Sequence, residues 1–161
     1  MSQIEIIDDD ISFRNLSQDE QRELTRLRKE YSNNYMQVNR AQWAIIGIIV
    51  IEIIFGIVAI VTDSVSSNGI MIAALVILLF AIALVLTFSH VVAGLVIALA
   101  LYVILTIIVL ANEPLSITRG VLLKLLIFYL LINGIFYALK NVPILKAIES
   151  LGGEAPAHSL I

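Results

Sequence analysis

A carboxylate in the middle of an apolar run is the residue of this chain best placed to do chemistry. Glu52 stands between Ile51 and Ile53 in a segment made almost wholly of Ile, Val, Ala and Phe. An ionised side chain at the centre of a bilayer costs roughly 3 kcal/mol by insertion scales and more by simulation. It must therefore face protein, a water-filled cavity or a cation, or else be protonated. Gly56, Ala59 and Asp63 follow Glu52 at one and then further helical turns, which puts the four on one narrow face of a helix. Such a stripe lines a pore or lets another helix approach closely. The natural counter-charge is Lys124, in a later apolar run. On a rise of 1.5 Å per residue, Lys124 lies about 10 Å and Glu52 about 15 Å from the same membrane surface, a mismatch that a lysine stem can cover. The two read equally as a structural pair or as residues exposed to a permeation path.

Other chemistries find little support. With no cysteine, disulfides, Cys-ligated zinc and thiol catalysis are excluded. Neither His90 nor His158 is followed by a metal-ligand residue at i+3 or i+4, so no metal site is expected. No Walker box, glycine-rich phosphate loop, nucleophile elbow or zincin helix occurs, and neither enzymatic activity nor a cofactor is expected. A second stripe, Tyr129, Asn133, Tyr137 and Asn141, recurs every four residues. It reads as helix packing, with Asn133 available for a hydrogen bond to another helix.

These residues need a bilayer to hold them. The chain has 161 residues, 60% of them hydrophobic and only 14% charged, with a mean hydropathy of +0.98. Soluble domains carry about 25% charged residues. A helix crossing needs about 20 apolar residues, and the interruptions cut residues 41–139 into four such pieces: about 41–61, 70–88, 91–110 and 117–139. Trp43 fits an interfacial anchor. The expected fold is all-α, a four-span helical membrane domain with an acidic flexible arm over 1–16 and a cytoplasmic amphipathic helix over 17–40 continuing into the first span. Pro143 is expected to interrupt the last helix, leaving 140–161 as a cytoplasmic tail with a short helix over 142–151 that Gly152-Gly153 ends. Six of the ten Lys and Arg residues precede Ala41, and Lys140 and Lys146 fall on the same side. Both termini are therefore expected to be cytoplasmic, in a bacterial inner membrane.

The polar helix carries two further signals. Ser17-Gln18-Asp19-Glu20 fits a capping box. Leu24, Leu27, Tyr31 and Val38 make a heptad seam with Asn34 at its one polar core position, flanked by Glu23 and Arg28 where parallel chains would pair. The seam reads as an assembly contact between copies, or as a face laid on lipid or on the chain's own membrane domain. Arg22, Arg26, Arg28 and Lys29 form a basic band that could hold anionic lipid or an anionic ligand, or a cytoplasmic protein could dock along 17–40; the interleaved acids favour a solvated face.

The reading these features support first is a homo-oligomeric pore or ion channel gated through its N-terminal helix, of the shape seen in bacterial membrane effectors of the anti-phage type. The second is a non-conducting scaffold or accessory subunit of a larger complex. A proton-coupled transporter comes third, because the two halves of the chain do not repeat each other.

Overall fold

Ser17 starts the first helix by the reciprocal contacts that its capping box predicts. Its Oγ accepts from the amide of Glu20 at 3.4 Å, and its own amide donates to the Glu20 carboxylate at 2.8 Å. From there α1 runs unbroken from Gln18 to Val61, 44 residues, or about 66 Å. The computed structural model describes residues 16–62, 67–112 and 121–152. After α1 come α2 (Ser67–Ser89), α3 (Val91–Asn112) and α4 (Val121–Ser150). All four are long and apolar enough to cross a membrane. The fold is an all-α, four-helix membrane-spanning bundle, and in hydrocarbon a helix is the form that satisfies every backbone N–H and C=O within one segment.

Hydrogen bonds from Ser17, first through its side chain and then through its amide, hold the Glu20 carboxyl below the usual carboxylate range. A lowered folded value means that this cap stabilises the helix start above the unfolded value and is lost as pH falls through the folded one. The protection of amides 18–21, taken relative to the intrinsic exchange rate at each pH, is therefore expected to fall as the Glu20 carboxyl is protonated. Ser17→Ala is expected to show low protection before and after that protonation.

One residue, His90, separates α2 from α3. Its amide still donates to Leu86 O at 2.7 Å, and its carbonyl accepts from Gly94 N at 2.9 Å. The reversal is that tight because Gly94 has no side chain: a Cβ there would sit 2.5 Å from the Thr87 amide nitrogen. Gln42 ties this turn to α1, donating through Nε2 to Thr87 Oγ1 at 3.2 Å, while Thr87 Oγ1 donates to Leu84 O at 2.7 Å. Gln42 and Thr87 are both buried, and each meets its partner in the other.

The turn sets a level. Since Gln42 lies beside it, the part of α1 before Arg40 and the part of α4 after Gly134 project beyond the ends of α2 and α3 as a two-helix stalk. The longest interface of the fold joins α1 to α4. Asn34 faces Asn141, with Nδ2 donating to Oδ1 at 2.8 Å, and Ala41 lies against Gly134. Seven residues up α1 match seven down α4, so the helices run antiparallel. Leu24, Tyr31, Asn34, Val38, Ala41, Ile45 and Ile48 are buried on α1. Opposite them, Ile127, Leu131, Gly134, Ala138, Asn141, Leu145 and Ile148 are buried on α4. From Tyr31 onward on α1, and throughout on α4, the sets step by threes and fours, the spacing of a coiled-coil seam, and Leu24 lies one heptad before Tyr31. Lys140 Nζ and Glu30 flank it at 3.2 Å, a half-exposed pair worth under about 1 kcal/mol.

One expectation changes here. Pro143 does not end the last helix; α4 continues to Ser150, where Gly152, with φ 75°, closes it. Proline removes one backbone donor, leaving the carbonyl of Leu139 without its partner. Pro143 lies on the exposed side of the stalk, where water can take up that carbonyl, while Leu145 and Ile148 on the other side stay buried in the seam with α1. Of the alternatives for the α1 seam, the fold shows the one in which it packs on the chain's own membrane domain, against α4.

Candidate functional site

Burial stops abruptly along the bundle. On the stalk side of Glu52 the interior is filled by Ile45, Phe80, Leu95 and Leu131, none more than 1% exposed. Beyond it Phe55, Ile57, Val58, Met71, Ile107 and Leu122 are all more than half exposed. The helices thus pack tightly in one half of the membrane and part in the other. Continuing the α1–α4 register past Ala41 and Gly134 brings Ile48 level with Ile127 and Glu52 level with Leu123. That is where the parting begins.

Two clefts meet at this level. The larger, about 610 Å³, lies between α1, α3 and α4; its wall includes Glu52, Phe55, Tyr102, Thr106, Leu123 and Lys124. A smaller one of about 350 Å³ lies between α1 and α2, with Glu52, Phe55 and Gly56 in its wall. Glu52 belongs to both. Its carboxylate makes no hydrogen bond or ion pair among the described residues. Two hydroxyls in the larger cleft are committed to backbone: Tyr102 Oη donates to Lys124 O at 3.3 Å, and Thr106 Oγ1 donates to Tyr102 O at 2.8 Å. Tyr102 thereby pins α3 to the start of α4.

No family model matches the chain, and no curated protein and no solved structure matches it.

Glu52 and Lys124 line one cleft from two different helices, with no ion pair between them among the described residues. Gly56 lines the second cleft, and a Cβ there would meet nothing within 4 Å, so it leaves open space rather than a close helix contact. Asp63 and the side chain of Ala59 lie outside the described residues, as do the arm over 1–15, Arg119 and His158. Leu24, Tyr31, Asn34 and Val38 are buried in the stalk, Leu27 and Arg28 are partly buried, and Glu23, Arg22, Arg26 and Lys29 are exposed. Burial, and next the nearby Tyr35, push the Tyr31 hydroxyl above the usual phenol range. Among the described residues no three His, Asp or Glu side chains gather as metal ligands would.

The second stripe divides. Tyr129 is exposed, Asn133 and Tyr137 are half-buried, and Asn141 is fully buried. The interhelical hydrogen bond belongs to Asn141 rather than Asn133. Tyr102 and Thr106 drew no attention in the sequence because a lone hydroxyl in an apolar span has many bland explanations. Asn141 could have been found from the step of threes and fours through Leu131, Gly134, Ala138 and Leu145, had Pro143 not broken the reading.

Proposed function

We propose that the protein is the subunit of a homo-oligomeric membrane pore or ion channel, gated through its N-terminal helix. The observation that carries this reading is the continuity of α1, which joins the stalk to Glu52 without a break. A displacement of the stalk is transmitted to the carboxylate as motion of one rigid rod. The half of the bundle between the stalk and Glu52 is packed shut, which fits a closed state. Opening would part α1 from α4 below Glu52 and extend the cleft toward the stalk side. Four helices with a filled interior offer no continuous path, so symmetric association of copies would complete one.

Charge supports an orientation. Arg22, Arg26, Arg28, Lys29, Arg40, Lys140 and Lys146 all belong to the stalk or its root, which favours a cytoplasmic stalk and cytoplasmic termini. The basic face of the stalk would then meet anionic lipid, an anionic ligand or a cytoplasmic protein as the opening signal. A bacterial inner-membrane effector that depolarises the cell on such a signal would have these parts. The fact that α4 already fills the α1 seam favours a second reading, a non-conducting scaffold whose stalk faces dock a partner.

Ion flux in liposomes separates the two. The parent protein is expected to leak monovalent ions, and Glu52→Gln to change that flux by about tenfold or more, the equivalent of one lost charge contact of 1.4 kcal/mol. Lys124→Met, which removes a positive charge beside the path, is expected to raise cation flux. A bilayer that stays tight with all three proteins, with the stalk helix deleted as well as present, would favour the scaffold.

A further inference from the structure

The larger cleft combines three features that together select a ligand. It is mostly apolar, it holds a carboxylate without a described partner, and it carries two aromatic rings, Phe55 and Tyr102. Its volume of about 610 Å³ lies within the range of small-molecule sites, roughly 300–1,000 Å³. An intramembrane carboxylate wants a positive charge, and an aromatic face attracts the same charge through its quadrupole. Thr106 and Tyr102 spend their hydroxyl protons on backbone carbonyls, so neither hydroxyl is left to donate to an anion. We infer that this cleft is a binding site for amphipathic organic cations, with Glu52 as the counter-ion and Phe55 and Tyr102 as its aromatic walls.

Lys124 narrows the class. It lines the same cleft from the facing helix, so a basic residue in the wall disfavours a doubly charged or compact cation, and the site suits a single charge shielded by apolar groups. The second cleft reaches the same carboxylate from the α2 side through Phe55 and Gly56, which gives an elongated apolar tail a second direction to lie in. The site stands on the cleft and its charge, and goes beyond the pore reading without requiring conduction.

The test uses the full chain in phosphatidylcholine nanodiscs, with radiolabelled tetraphenylphosphonium as the probe and empty nanodiscs as the blank. Saturable binding near one per chain is expected. Unlabelled tetraphenylphosphonium should compete, and tetraphenylborate, of nearly the same shape and opposite charge, should not. Glu52→Gln is expected to weaken binding by about tenfold or more, and Lys124→Met to strengthen it. Thr106→Phe, which fills the cleft and leaves the carboxylate in place, should abolish it, so the test does not depend on one variant folding. Unchanged binding in Glu52→Gln, competition by tetraphenylborate equal to that of the cation, or no binding above the blank would overturn the site. Binding retained in a protein that does not conduct would refute the pore alone; flux without binding would refute this site alone.

Discussion

Gly134→Leu is expected to destabilise the protein by about 3 kcal/mol, at the upper end of the usual cost of overpacking. A Cβ at position 134 already overlaps the methyl group of Ala41 on α1, and neither helix can step back without opening the longest interface in the fold. Small residues allow membrane helices to approach this closely. Gly47→Leu provides the control, because a Cβ there meets nothing within 4 Å. It should leave the thermal midpoint in detergent nearly unchanged while Gly134→Leu lowers it strongly. Exchanging the two partners, Ala41→Gly with Gly134→Ala, should restore most of the stability lost by Gly134→Ala alone. A shared loss in the exchanged protein would mean that the two positions are not in contact.

The buried Asn34–Asn141 pair makes a sharper and less symmetric prediction. Asn34 Nδ2 donates to Asn141 Oδ1, while Asn141 Nδ2 is buried without an acceptor among the described residues. Asn34→Leu therefore strips Asn141 of its one side-chain partner and leaves its whole amide unsatisfied, at a cost of about 1–3 kcal/mol. Asn141→Leu removes an orphaned donor at the same time as it orphans Asn34, and should lie close to neutral. The double leucine variant should be more stable than the parent, with a looser α1–α4 register, because one buried polar layer in an otherwise apolar seam is a register device held at a cost in stability. Denaturation midpoints measure the energies, and cysteine cross-linking between positions 30 and 140 measures the register. Equal losses in the two single variants would show that the pair is an ordinary reciprocal hydrogen bond.

How much of this was legible beforehand follows from what each feature is made of. Four spans are written in runs of apolar residues separated by Thr, Asn, Ser and His, because hydrocarbon tolerates little else. The start at Ser17 is local chemistry and reads directly. The seam on α1 was visible in Leu24, Tyr31 and Val38, but its partner was not. On α4 that seam passes through Gly134 and Asn141, which do not look like core, and past Pro143, which looks like an end. The cleft was invisible for a different reason. Lipid-facing and cleft-facing positions are both Ile, Leu, Val and Phe, so only Glu52 and Lys124 marked its place, and only geometry adds Tyr102 and Thr106.

The central claim is that the membrane half beyond Glu52 is open between α1, α3 and α4 while the half on the stalk side is sealed. A chain without cysteine allows this to be measured one position at a time. In proteoliposomes, Thr106→Cys on the cleft wall and Leu131→Cys in the packed half are compared for reaction with a charged, membrane-impermeant thiol reagent added from either side. The account predicts rapid reaction at 106 from the side opposite the stalk, and none at 131 from either side. Reaction at 131 as fast as at 106, or silence at both, would contradict it.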